Sequence, residues 1–252
     1  MLYFVKHYNG GHKVIKKYYA EVTSENVNVF SANQNADKSA VYKGKPGILV
    51  ANVRQTAIRV VDIDHKPVHG DKWDLVKAAF PIGEKMNENT HIFDGAVFVN
   101  ANGVMRFFIT ALPISVADKI AETGLALFGS PHKLKCLDTL EHFLFRYYTN
   151  QSMDAFWVVF PQDCGLRVLF LTDGLPRAAW HVSNNPQFRQ EEILRCLKTS
   201  AETGLDIKET ARKRAVVLNT DLDLEWLYVL LAEQGIEAEK REYCLNDFVK
   251  QL

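Results

Sequence analysis

No charge of either sign is in excess in this sequence. Lys+Arg and Asp+Glu number 30 each, so the formal net charge is zero. A protein gripping nucleic acid mainly through phosphate contacts would carry a basic surplus, so nucleic acid is not an expected partner. Cysteine is scarce: Cys136, Cys164, Cys196 and Cys244 stand far apart and form no C-x-x-C pair. Reduced thiols in a cytoplasmic protein are the expectation. No apolar run approaches the roughly 18 residues of a membrane span. The opening MLYFVKHYNGGHK has too short an apolar run, followed by more lysines, to read as a signal peptide. These absences predict a soluble intracellular protein with no direct membrane span.

What is present suits a globular α/β chain. Its 252 residues suffice for one large domain or two of ordinary size, and its 47% hydrophobic content for a substantial core. The most informative stretch is Ala155–Val182, which reads as three antiparallel strands. Ala155–Phe160 is an unbroken apolar run, suited to burial on both faces. Pro161 is expected to end it, with Asp163-Cys164-Gly165 as the turn. Arg167–Thr172 is the second strand. Asp173-Gly174 is a hairpin signal, because both central positions of a type I′ turn need positive φ. Leu175–Val182 is the third strand, with Pro176 at its start or on an edge.

Before this stretch the chain repeats the plan more loosely. Leu2–Tyr8, Val14–Val22 and Asn26–Phe30 read as an opening meander with a turn at Asn9-Gly10-Gly11. Ser31–Lys45 is polar loop, and Gly47–Asn52 and Ala57–Ile63 are further strands. Asp71–Phe80 reads as a helix capped by Asp71 and ended by Pro81. Gly95–Asn100 and Val104–Leu112 form a hairpin about Asn102-Gly103. Ser115 and Asp118 suggest a capped helix carrying Val116 and Ile120 and closed by Gly124. After the strand Lys133–Leu137, Asp138 and Glu141 suggest another helix start. Leu140, Phe143, Leu144, Tyr147 and Tyr148 then form the clearest amphipathic stripe, ending near Asn150, the expected domain boundary.

Beyond Val182, Asn185-Pro186 predicts a helix start, with Ile193, Leu194, Leu197 and Ala201 inward and Gly204 as its end. Ala215–Leu218 is a buried strand. Asn219-Thr220-Asp221 is read as the cap of a helix carrying Leu224, Leu227, Leu230 and Leu231. Gly235 ends that helix and Ile236–Tyr243 is the last strand. AETGL begins at both Ala121 and Ala201, and AEQGI at Ala232 is similar. One shared C-cap chemistry explains all three better than a true repeat.

Each half thus opens with a meander and later alternates strand and helix. The segments RFFITALPISVADKIAETGLAL, KLKCLDTLEHFLFRYY, WVVFPQDCGLRVLFLTDGLPRAAWHV and AVVLNTDLDLEWLYVLLAEQGIEAE carry a resemblance over Gly95–Glu239. They resemble the actin-like, ribonuclease-H-like ATPase superfamily, near the pilus-assembly M proteins and the cytoplasmic part of type II secretion L proteins. The resemblance implies a two-lobed α/β duplication: mixed sheets with flanking helices, and the Leu140–Tyr148 helix crossing between lobes. Residues 1–150 would form the first lobe, with a β-rich insertion near 40–103, and residues 151–252 the second.

Active members of that superfamily carry Asp-x-Gly phosphate loops at the first hairpin of each lobe. In this sequence the first hairpin is expected at His7-Tyr8-Asn9-Gly10-Gly11, without Asp. The second is Pro161-Gln162-Asp163-Cys164-Gly165, where the acid comes late and Pro161 removes an amide donor. Asn219-Thr220-Asp221 replaces the paired glycines of the adenosine loop. By resemblance, hydrolysis is lost, and the function implied is a peripheral inner-membrane scaffold that binds other proteins of a pilus or secretion assembly. An actin-like ATPase or sugar-kinase-like enzyme with atypical loops is the alternative.

Other chemistry-bearing groups have plainer readings beside the functional one. Asp62, Asp64, His65, His69 and Asp71 could gather a divalent metal, and with it a hydrolase chemistry, or form a solvated turn. Asp138, Glu141 and His142 could form an acid–base group, or two cap residues and a flank. Cys164 could be a nucleophile or an incidental thiol. Gly10-Gly11 and Asp163-Cys164-Gly165 could contact phosphate or be plain turns. Lys13, Lys16 and Lys17 could touch anionic lipid or line a solvated strand. No catalytic, cofactor or metal residue is assigned from the sequence, no cofactor is expected, and a homodimer is left open.

Overall fold

A computed structural model describes residues 18–31, 42–43, 47–67, 71–80, 86–87, 89–130, 134–149, 155–163, 165–183, 185–202, 212–219, 223–243 and 245. The expectations for Leu2–Tyr8, Asn9–Gly11, Lys13, Lys16, Lys17, His69, Cys164, Gly204 and Thr220-Asp221 lie outside these residues.

The described residues begin with strands β1 (Tyr18–Val22), β2 (Val27–Ser31), β3 (Gly47–Ala51) and β4 (Ala57–Ile63), then helix α1 (Asp71–Ala79). Next come β5 (His91–Val99), β6 (Met105–Pro113), α2 (Ile114–Phe128), β7 (Leu134–Thr139) and α3 (Leu140–Tyr148). The last third holds β8 (Ala155–Gln162), β9 (Gly165–Thr172), β10 (Leu175–Ser183), α4 (Arg189–Glu202), β11 (Lys213–Asn219), α5 (Glu225–Glu233) and β12 (Glu237–Glu242).

Among the described residues the strands form three sheets, ordered β2-β1-β3-β7, β10-β9-β8-β11-β12 and β4-β6-β5. In the first, β1 runs antiparallel to β2 and parallel to β3, and β3 runs parallel to β7. In the second, β8 runs antiparallel to β9 and parallel to β11, and β11 runs parallel to β12. The same four-strand arrangement therefore occurs in both, with β10 added outside β9. The third sheet is antiparallel.

Strand alternation explains the apolar run of β8. Phe156, Val158 and Phe160 face one core cluster, while Ala155, Trp157 and Val159 face another with α4 and α5. The first cluster also takes Tyr19 and Val50 from the first sheet, Ile58, Phe98 and Phe108 from the third, and most of α3. Helix α3 is apolar beyond a single stripe: Leu140, Phe143, Leu144, Phe145 and Tyr148 are all buried. It forms the hub on which three sheets close, and each such buried large side chain contributes about 1.5–3 kcal/mol.

Several local signals resolve differently from their sequence reading. Strand β8 does not end at Pro161 but runs through it, with Pro161 opposite Leu166. Pairing with β11 stops at Val159, so Pro161 sits where one side of the strand has no ladder to lose. Helix α2 starts after Pro113 without a side-chain cap, not on Ser115. Gly124 does not end it either. Ala117, Ile120, Gly124 and Phe128 form one buried stripe, and the left-handed stop is Gly129, whose N–H reaches Leu125 O. Asn185 caps a turn, accepting the Gln187 N–H on its side chain, and α4 follows only at Arg189. Helix α5 has Leu224 at its N-cap, and Asp223 accepts the Glu225 N–H. Of the three similar pentapeptides, the last behaves as expected, with Gly235 at φ 67° directly after the Gln234 C-cap.

Candidate functional site

The tip of the β1–β2 hairpin and the tip of the β8–β9 hairpin meet at one cleft. The first is a turn closed on itself: Thr23 N–H donates to Asn26 O at 2.9 Å and Asn26 N–H to Thr23 Oγ1 at 2.9 Å. The second turns at Asp163, held at φ 46°, a conformation that short polar Asp tolerates. Asp163 then reaches across. Its Oδ1 accepts the Ser24 hydroxyl at 2.6 Å and the Ser24 N–H at 3.3 Å, and its Oδ2 accepts the Arg54 N–H at 2.7 Å. The acid of one hairpin is thus tied to the turn of the other.

Beneath this latch lies a cavity of about 440 Å³, bounded by Glu21, Ser24, Asn52, Phe160, Asp163 and Tyr243 among others. Glu21 is its innermost acid. Ala20 and Val22 turn into the apolar cluster with α2, so alternation sends Glu21 to the opposite face. Its Oε1 accepts Asn52 Nδ2 at 2.9 Å and the Tyr243 hydroxyl at 2.7 Å. Burial raises the Glu21 carboxyl above the usual range, and these two bonds only partly oppose it.

A buried polar chain continues from Asn52. Gln162 Nε2 donates to Asn52 Oδ1 at 3.3 Å and to Glu141 Oε1 at 3.1 Å. Arg167 Nε lies 3.0 Å from Glu141 Oε1, an ion pair without the alignment of a hydrogen bond. Arg167 Nη2 donates to Thr56 O at 3.0 Å. Glu141 Oε2 and Gln162 Oε1 are buried with no hydrogen-bond partner among the described residues. Burial pushes the Glu141 carboxyl up and the Arg167 guanidinium down, in each case against the attraction of the other.

The acid–base candidates at the α3 start are interior groups, which corrects the reading of Glu141 as a cap and His142 as a flank. Thr139 is the N-cap, accepting the His142 N–H at 3.3 Å. Asp138 Oδ1 lies 2.7 Å from His142 Nδ1. Burial pulls the His142 ring down, but Asp138 outweighs it and the net shift is upward. The ring stacks on Phe108 at 5.7 Å and meets Phe98 edge-on at 5.8 Å. Glu141 and His142 therefore serve different networks, one toward the cleft and one toward the third sheet.

Of the metal candidates, the described Asp62, Asp64 and His65 do not gather. Asp62 Oδ1 accepts Arg106 Nε at 2.9 Å and its Oδ2 accepts Arg177 Nη1 at 2.6 Å. Burial opposes ionisation there, but Arg177 and Arg106 hold the carboxyl below its ordinary value. Asp64 and His65 are exposed in a bend. Among the described residues, no group of three or more His, Cys, Asp or Glu side chains is placed to hold a metal ion. Arg106 also donates to Thr172 O at 3.1 Å, pinning the third sheet to the β9–β10 turn.

Sequence reasoning missed Glu21, Asn52, Gln162, Arg167 and Tyr243. The signals available were the acid in YYAEV and the arginine in GLRVLFLT, each a charge inside an apolar strand. The hairpin facing Asp163 is Thr23–Asn26, whereas the sequence reading placed it at His7–Gly11.

Comparison with solved structures supports one fold for these sheets, this central helix and this cleft. A protein of Bacteroides thetaiotaomicron described as having an actin-like ATPase fold and unknown function superposes with TM-score 0.59, over 96% of this chain and 100% of that one, at 9% identity. The chain has the actin-like fold. The cytoplasmic domain of EpsL, an inner membrane component of the type II secretion system of Vibrio cholerae, matches at TM-score 0.51 and 9% identity, covering 94% of this chain and 93% of that one. A chain of the PilM–PilN type IV pilus biogenesis complex matches at TM-score 0.53 and 9% identity, covering 90% and 88%. No family model matches the sequence, and no curated protein matches it. Among the described residues, no helix is long and apolar enough to cross a membrane.

Proposed function

We propose that this actin-like chain is a non-catalytic assembly protein of a type IV pilus or type II secretion-like machine, acting through protein–protein contacts. The observation that carries the reading is the Asp163 latch. Both oxygens of the acid in the second hairpin are engaged by protein donors, Ser24 and Arg54. The resemblance assigns a metal or water to the acid at this place in active ATPases. The residues present do not suit a magnesium polyphosphate: among the described residues lining the cavity there is no Lys, Arg or His to meet its phosphates. Likeness in fold to the EpsL cytoplasmic domain and to the PilM–PilN complex supports the same direction.

The reading includes two lobes, residues 1–150 and 151–252. The matching four-strand arrangement of the two larger sheets supports a duplication, and the separate sheet β4-β6-β5, two of whose strands fall within residues 40–103, supports an insertion there. Partners would be other proteins of a membrane-associated assembly, and attachment to the inner membrane would come through them. Cross-linking in the source cell with photoreactive residues on exposed strands tests this. Links to inner-membrane components of a pilus or secretion machine are expected. Magnesium-dependent ATP turnover by the purified chain, with no such links, would overturn it.

A further inference from the structure

The cavity that disfavours a polyphosphate has a definite chemistry of its own. Its innermost acid, Glu21, is 3% exposed. Glu21 Oε1 already receives two hydrogen bonds, from Asn52 and Tyr243. Glu21 Oε2 receives none among the described residues, and it is not among the atoms sealed from solvent. Since Glu21 lines the cavity, this free carboxylate oxygen opens into it. A carboxylate taken out of water in this way is stable only with a proton or a counter-cation. Asp163 lies at the outer edge, where Ser24 and the Arg54 backbone hold its oxygens in place. Glu25 is exposed on the first turn and adds negative potential at the outer edge. Pro161 and the half-buried Tyr243 ring supply apolar wall beside these acids.

We infer that this cavity binds an organic cation, a primary ammonium or guanidinium borne on an apolar stem, with Glu21 as its counter-ion. The stem lies along Pro161 and the Tyr243 ring, and the head donates to Glu21 Oε2. A long basic side chain has this build, an aliphatic stem carrying a charged head. The acids are not gathered for a metal ion, since no such group occurs among the described residues. A volume of about 440 Å³ accommodates a ligand of this size. The same chemistry can come from a lysine or arginine of a partner peptide or from a free polyamine. The inference stands whether or not the chain serves a pilus or secretion assembly.

Calorimetric titration of the full chain tests it, with spermidine in one arm and N-acetyl-lysine methylamide and N-acetyl-arginine methylamide in the other. Saturable binding in at least one arm is expected, and the tighter arm names the source. Glu21→Gln should weaken that binding at least tenfold while leaving the chain folded by circular dichroism. Glu25→Gln should weaken it about twofold, by removing only outer potential. Should Glu21→Gln fail to fold, Glu21→Asp supplies the test, because withdrawing the carboxylate should also cost at least tenfold. No binding of any of the three probes would overturn the inference, as would equal affinity in wild type and the Glu21 variants.

Discussion

The Asp163 carboxylate accepts the backbone N–H of Arg54 at 2.7 Å, joining residues 109 apart in sequence. With Ser24 on its other oxygen, it fastens the β8–β9 turn to the first sheet. Asp163→Asn keeps a residue that tolerates positive φ but removes the charge. It should lose about 1 kcal/mol, in the range of a net hydrogen bond. Asp163→Ala should lose more, because it adds left-handed backbone strain at φ 46°. Urea midpoints of the two variants check the order.

Glu21 makes stability depend on pH in a calculable sense. Its carboxyl is raised above 4.5 in the fold, chiefly by burial. Below that value both states hold the proton and no penalty exists. Between it and the raised native value, the folded chain holds a proton that the unfolded chain has released, so stability falls as pH rises. Above the native value the penalty is complete. Glu21→Gln should flatten this slope and be at least as stable as wild type at neutral pH. Denaturation curves from pH 4 to 8 measure it; a slope unchanged in the variant would refute the assignment.

Glu141 and Arg167 make a buried pair at 3.0 Å. Arg167→Met strands the carboxylate and Glu141→Leu strands the guanidinium, each at about 3–5 kcal/mol. The double variant should cost well under the sum of the two, since neither charge is left alone. A double-mutant cycle in urea gives the coupling directly.

Gly47 begins β3 against the Phe128 ring, and a Cβ built there would collide with that ring. Phe128 is fully buried and has nowhere to move. Gly47→Ala should therefore cost about 1–3 kcal/mol by overpacking. Adding Phe128→Leu should recover part of the loss, which thermal unfolding of both variants would register.

How much of this was legible depended on the range of the interaction. Strand β4 falls on Ala57–Ile63 as read, because alternation there is local. The Asp173-Gly174 turn has φ 55° and 70°, as its dipeptide demands. The α3 stripe was legible for the same reason. Gly124 was misread because local cap chemistry is blind to Phe128, whose burial carries the helix one turn further. Glu21 and Arg167 were missed because a charge in an apolar strand reads as an outward residue. Only pairing with Asn52, Tyr243 and Glu141, far away in sequence, makes burial tolerable. Thr23–Asn26 faces Asp163 through the packing of two sheets, which no sequence window contains.

The proposed assembly role requires that the cleft between the hairpin turns bind no Mg-ATP. Isothermal titration of the intact chain with Mg-ATP tests it most directly. The account predicts no saturable heat at millimolar nucleotide. Micromolar binding, abolished by Asp163→Ala, would contradict it.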